Sequence, residues 1–184
     1  MDSAFETGLI GGREKRQIKI VDYDSNWPRK FEAHARVIYD VLGSAALSIE
    51  HIGSTAVPGL AAKSIVDMLV VVQDSADESG YLSKLEAAGY VLRVREPDWN
   101  EHRMFRTPEA DVHVHIYSEI CPEIQRVLIF RDRLRQNIID RRRYEQVKRE
   151  LAAREWLDMN AYAEAKSEVI ESIIAAANSE VKER

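Results

Sequence analysis

The strongest hydrophobic pattern in the chain is the apolar run SIVDMLVVV (64–72), which is interrupted by one carboxylate, Asp67. Its β-branched residues predict a strand apolar enough to lie centrally in a sheet. LSIEHI (47–52) predicts the strand before it, and IKIVDY (18–23), YVLRVR (90–95), HRMFRT (102–107) and DVHVHIY (111–117) predict four more. A Pro-containing turn joins the last two. Phe31, Ala35, Ile38 and Leu42 recur near the helical period, with Asn26 placed to cap and Pro28 in the first turn, so a helix is expected from Pro28 to about Ala46. A second helix is expected over roughly 75–88, ended by Gly89. From Pro122 the pattern is helical to the end, over about 122–136, 140–154, and from Asn160 as cap to about 177.

The order strand, helix, strand, strand, helix, three strands, three helices does not alternate as a doubly wound sheet would. It predicts an α+β fold, a mixed β-sheet flanked by helices with a helical C-terminal part over 122–184. The whole, 17–184, reads as a single domain behind a flexible extension, MDSAFETGLIGGREKR (1–16). Hydrophobic residues at 45% and charged residues at 31% fit a soluble globular protein.

At a net charge of −5, nothing global points to nucleic acid or an anionic membrane as partner. Basic residues do crowd between Arg131 and Arg149, but acids are interleaved, which predicts an ion-paired helical surface. The one cysteine, Cys121, excludes an internal disulfide and suits a reducing cytoplasm; beside Pro122 it reads as a loop or cap residue. No apolar run reaches the length of a membrane span, and the N-terminus lacks the order of a signal peptide, so a cytoplasmic protein is expected.

Candidate chemistry gathers in two places. In HIGSTAVPGLAAKSIVDMLV, Gly53 directly after a strand allows a sharp turn, and Ser54 and Thr55 add hydroxyls and amides suited to phosphate oxygens. The same letters also describe a plain tight turn. About a dozen residues on, Asp67 in its apolar strand needs solvent or a partner, and a metal ion is one such partner. One of Glu50 and His51 must face the same cleft, and Lys63 is placed to reach a phosphate or solvent. In DVHVHIY, alternation puts Asp111, His113 and His115 on one face and Val112, Val114 and Ile116 on the other. The polar face suits a metal of N/O type, a general base, substrate hydrogen bonds, or simply solvent.

The stretch HIGSTAVPGLAAKSIVDMLV, with VHVHIY, FRDRLR (130–135) and YEQVKRELA…NAYAEAKSEVIESII (144–174), resembles the GrpB-like (UPF0157) family. The resemblance covers roughly 18–176. It implies a nucleotidyltransferase-superfamily fold and, by that superfamily's chemistry, transfer of a nucleoside monophosphate from a nucleoside triphosphate to a small-molecule acceptor. In some bacteria the family's domain is fused to dephospho-CoA kinase, which also fits a non-catalytic ligand-binding or scaffolding module.

Carried over residue by residue, Gly53, Ser54 and Thr55 would hold phosphates, helped by Lys63, Arg131 and Lys166. Asp67 would bind a divalent metal, Mg or Mn, and His113 or His115 would complete the site or act as base. The superfamily's second carboxylate, two residues after the first, is Leu69 here. A replacement ligand set drawn from Asp67, Asp111, His113 and His115 would favour Zn, Fe or Ni as well as Mn, and opens a third reading, a different metal-dependent enzyme with hydrolytic chemistry. Arg131 with Asp132, and Tyr162 with Lys166, are equally readable as structural pairs.

Overall fold

The strand carrying Asp67 lies inside the sheet. In the computed structural model, which describes residues 8–12, 17–156 and 159–182, five strands form one mixed sheet. They are β1 (Ser48–Ile52), β2 (Val66–Val72), β3 (Val91–Glu96), β4 (His102–Arg106) and β5 (Val112–Ser118). Their spatial order is β1-β2-β5-β4-β3. β2 runs parallel to β5 and every other neighbouring pair is antiparallel. Asp67 therefore sits opposite His113 on the adjacent strand, and Leu69 opposite His115.

The helices are α1 (Trp27–Leu42), α2 (Leu82–Ala87), α3 (Pro122–Gln136), α4 (Ile138–Ala152), α5 (Met159–Glu164) and α6 (Ser167–Lys182). The α+β class and the helical C-terminal part are as the pattern predicts. Strand alternation divides the core between the two sheet faces. Met68, Val70 and Val72 of β2 and Val112, Val114 and Ile116 of β5 pack on Trp27, Ile38 and Leu42 of α1 and Leu85 of α2. On the opposite face Ile52, Leu69, Val71 and Tyr117 meet Cys121 and Ile124 at the start of α3. A third cluster ties Val57 and Leu60, in the loop after β1, to Leu134, Tyr144, Val169 and Ile173 of the C-terminal helices. Each such fully buried side chain stabilises the fold by about 1.5–3 kcal/mol, so the C-terminal helices are anchored on the face that carries Asp67, His113 and His115.

Several elements differ from expectation for identifiable reasons. IKIVDY is not a strand: only Val21 pairs, exchanging two 2.9 Å hydrogen bonds with Ala62 in the loop before β2. The helix expected over 75–88 is divided, with a 3₁₀ turn at Glu78–Gly80 ahead of α2. α4 begins earlier than expected because Asn137 caps it, its Oδ1 accepting from Ile139 and Asp140 amides at 3.0 Å each. The last helix is two, α5 and α6, and the proposed Asn160 cap lies outside the described side chains. Asn26 does precede α1, but its side chain turns to Asp24 instead of the helix.

Of the expected extension, residues 1–7 and 13–16 lie outside the described residues, while 8–12 run along β3, with Leu9 bridged to Val94. The basic stretch is ion-paired: Arg133 meets Asp140 and Glu180 at 2.5 Å each, and Arg149 meets Asp22 at 2.8 Å. Among the described residues no helix is long and apolar enough to cross a membrane.

Candidate functional site

The turn after β1 and the carboxylate of β2 are built against each other. Ile52 is the register partner of Asp67, so the chain leaving β1 passes directly over that carboxylate. Gly53 adopts φ +69° and ψ −170°, a region that essentially only glycine occupies. A Cβ there would stand 2.6 Å from Asp67 Oδ2. Gly53→Ala is therefore expected to cost about 2–4 kcal/mol and to displace Asp67. Urea denaturation checks the first effect; unchanged stability would mean the turn relaxes freely.

Beside Asp67, the register of β5 brings in both histidines. His113 Nδ1 is 3.5 Å and His115 Nε2 is 3.7 Å from Asp67 Oδ1, and one donor atom from each of the three residues lies within 4.8 Å of the others. These separations exceed an ordinary hydrogen bond. Donors that share one ion at about 2.1 Å lie about 3–3.5 Å apart, so the three residues fit around a single cation. Burial alone would raise the Asp67 carboxyl, but the two imidazoles outweigh it and hold the group well below the usual carboxylate range.

Behind His115 stands a second imidazole. His102 Nε2 is 3.0 Å from His115 Nδ1, and His102 Nδ1 is 2.7 Å from Glu96 Oε2. His102 is buried and stacks on both His115 and Tyr117. Met104 pairs with His115 across the β4–β5 ladder, so alternation in HRMFRT already puts His102 on the same face. Alternation alone groups His102 with Met104; the contact with His115 follows from the register of β4 on β5.

Three lysines, Lys63, Lys148 and Lys166, line the same cavity of about 370 Å³ as Asp67. Lys148, from α4, is only 2% exposed. Its ammonium donates to Ser54 Oγ at 3.0 Å and to the Ala61 carbonyl, and lies 4.8 Å from the centre of the Tyr144 ring. Lys63 and Lys166 approach the Tyr162 ring at 5.2 and 4.7 Å. Burial first, then the Lys166 charge, brings Lys148 down to about 7 and Lys63 down to about 8; burial also lowers Lys166. The buried Tyr162 hydroxyl, from a residue that lines the cavity, has no hydrogen-bond partner among the described residues. Three confined cations and an orphaned hydroxyl make this wall suited to an anion.

Of the residues singled out in the sequence, Asp67, His113, His115, Gly53, Ser54, Lys63 and Lys166 all line this cavity. Three do not. Asp111 is not a fourth ligand: it precedes β5 in a turn where Thr107 Oγ1 donates to its Oδ1 at 2.7 Å, and its other oxygen pairs with Lys30 of α1. Thr55 is turned inward, its hydroxyl 3.0 Å from His51 Nε2, and His51 is stacked on Phe31. Arg131 is buried and tied to Asp132, to Glu50 and to the His51 carbonyl at 2.7, 2.7 and 3.0 Å, joining α3 to β1. Neither Glu50 nor His51 lines the cavity, and Cys121 is the buried residue ahead of α3.

Comparison with known proteins agrees with this architecture. The profile of the family described as GrpB protein matches residues 17–176. A UPF0157 protein of Halalkalibacterium halodurans is 51% identical over 161 residues, covering 88% of this chain and 83% of its own. One from Streptomyces coelicolor is 52% identical over 165 residues, covering 90% and 87%. The crystal structure of conserved protein GrpB from Enterococcus faecalis superposes with a TM-score of 0.79 at 32% identity, over 89% of this chain and 99% of that one. With a profile match spanning almost all of the five-stranded sheet and its helices, the chain belongs to the GrpB family.

Proposed function

We propose that the protein is a divalent-metal-dependent enzyme acting on a phosphate-bearing substrate, with transfer of a nucleoside monophosphate from a nucleoside triphosphate to a small-molecule acceptor as the reaction to test first. One observation carries the reading: an Asp67–His113–His115 cluster lines one cavity with three lysines, of which Lys148 is buried. Asp67, His113 and His115 would hold the ion, which supplies charge neutralisation at a phosphate. Imidazole donors suit Mn, Zn, Fe or Ni better than Mg.

Lys63, Lys148 and Lys166 would take the outer phosphates, with Ser54 held toward them by Lys148. In the transfer, the acceptor hydroxyl attacks the α-phosphorus, its proton is taken up by the site, and pyrophosphate leaves toward the lysines. Leu69 at the second carboxylate position favours a second reading, a ligand-binding module without turnover. Calorimetry with a nucleoside triphosphate and Mn²⁺, followed by assay for pyrophosphate release, separates the two. Binding with release supports the enzyme, binding alone the module, and no binding of either ligand removes both.

The lysines also give a pH signature. Below about pH 7 Lys63 and Lys148 are charged in folded and unfolded chains alike, and the penalty for burying those charges is complete. Between there and the unfolded value of 10.5 the folded chain sheds protons that the unfolded chain keeps. Stability contributed by this wall therefore rises with pH. A bound polyanion relieves the same penalty, so tripolyphosphate is expected to raise Tm more at about pH 6.5 than at about pH 9.5. Equal shifts in thermal melts at the two pH values would take the lysines out of the binding site.

A further inference from the structure

We infer that Glu96 and His102 form a buried arm that sets the proton of His115 on Nδ1, leaving the Nε2 lone pair directed at the Asp67 carboxylate and committing the site to an imidazole-binding transition ion. The inference rests on the metal reading above and assigns two residues that lie outside the cavity lining.

The proton placement follows from donors and acceptors. An ionised carboxylate only accepts, so at 2.7 Å from Glu96 Oε2 the His102 Nδ1 carries the proton. In neutral His102 the Nε2 is then an acceptor, and its partner at 3.0 Å, His115 Nδ1, is the donor. His115 Nε2 is left with a lone pair. The opposite arrangement fails on geometry. A proton on His115 Nε2 would face Asp67 Oδ1 at 3.7 Å, beyond hydrogen-bond reach, and would leave His102 Nε2 without a donor.

The arm is rigid. His102 is 6% exposed, and its ring lies within 14° of parallel to His115 and 20° to Tyr117, at centroid distances of 5.3 and 4.8 Å. Trp99 covers the outer side edge-on to both His102 and Tyr117. Partners of this kind orient a ligating imidazole and raise its basicity. Mg²⁺ prefers oxygen donors and keeps its waters, so a pre-set imidazole lone pair favours Mn²⁺, Zn²⁺, Fe²⁺ or Ni²⁺ over it. His102 and Glu96 are thus positioning residues, acting through His115.

The test uses the full chain with ¹⁵N-labelled histidine and two titrations. In metal-free protein, NMR should show His115 protonated at Nδ1 and bare at Nε2. Calorimetry should show Zn²⁺ or Mn²⁺ binding that excess Mg²⁺ does not displace. His102→Phe, which keeps an aromatic ring against His115 and Tyr117, should weaken that binding about 10–100-fold with the fold retained by circular dichroism. Glu96→Gln, whose amide oxygen still accepts from His102, should stay near wild type, whereas Glu96→Ala should not. If His102→Phe does not fold, the NMR tautomer and the Glu96 pair decide the question. A proton on His115 Nε2, unaltered affinity in His102→Phe, or equal affinities in Glu96→Gln and Glu96→Ala would each overturn this inference while leaving the metal site standing. Failure of the wild type to bind any transition ion would overturn the metal reading, and this inference with it.

Discussion

Asp67→Asn is expected to remove ion binding and any turnover while leaving the fold intact. The amide is nearly isosteric, so it still fits beneath Gly53, where a Cβ would already stand 2.6 Å from the present Oδ2. What it lacks is charge. Two neutral imidazoles and an amide oxygen hold a divalent ion far more weakly than two imidazoles and a carboxylate. Affinity for Mn²⁺ or Zn²⁺ should fall at least about 100-fold, equivalent to about 2.8 kcal/mol.

The acid limb of stability provides a second readout, with a definite sign. The Asp67 carboxyl is held below its unfolded value of 3.8 by His113 and His115, against the opposing effect of burial. Its contribution is therefore present above about pH 4 and is lost as pH falls further. Asp67→Asn should lose part of that acid dependence in thermal melts between about pH 5 and pH 2. Wild-type ion affinity in the variant would dismiss Asp67 as a ligand, whatever the histidines do.

How far the site can be read from sequence depends on whether a residue's surroundings are local. The strand around Asp67 was legible because nine consecutive residues, SIVDMLVVV, leave no other stable placement for so apolar a run. The Gly53 turn was legible as a turn, but its contact with Asp67 follows from the antiparallel register of β1 and β2. Alternation correctly gave His113 and His115 a common face, then failed one step beyond the strand. Asp111 belongs to the preceding turn, where Thr107 Oγ1 accepts from the amides of Asp111 and Val112 and takes the aspartate toward Lys30.

Lys148 was hidden for a different reason. It lies within a charge-rich helix that reads as a solvated surface, and the neighbouring Arg149 is indeed exposed and ion-paired. Only the packing of α4 on the loop that contains Ala61 buries it. A residue brought in from 94 positions beyond Ser54 leaves no periodic trace. Arg131 shows the converse: the resemblance carried by FRDRLR implies a phosphate contact, yet its guanidinium is consumed by Glu50, Asp132 and a β1 carbonyl.

Leu69→Asp is the substitution that would restore the two-carboxylate pattern on paper, and it is expected to unfold the protein's centre instead. Leu69 is fully buried. It shares a sheet face with Asp67 but does not line the cavity; it packs on Ile52, Val71, Tyr117, Cys121 and Ile124, beneath the first turn of α3. Truncating a leucine in such a place costs about 2–5 kcal/mol. An aspartate there also loses water around its carboxylate, and the apolar cluster supplies nothing in exchange. The combined loss should exceed about 4 kcal/mol, a large part of the stability of a domain this size.

Leu69 pairs in register with His115 on β5, so in the proposed site the neighbouring strand would contribute the donor that a second carboxylate would have added. Urea denaturation and ion stoichiometry together decide the matter. A destabilised variant that binds one ion or none is the expected result. A stable variant that binds two ions would show that position 69 opens onto the cavity, and the single-ion site would then have to be abandoned.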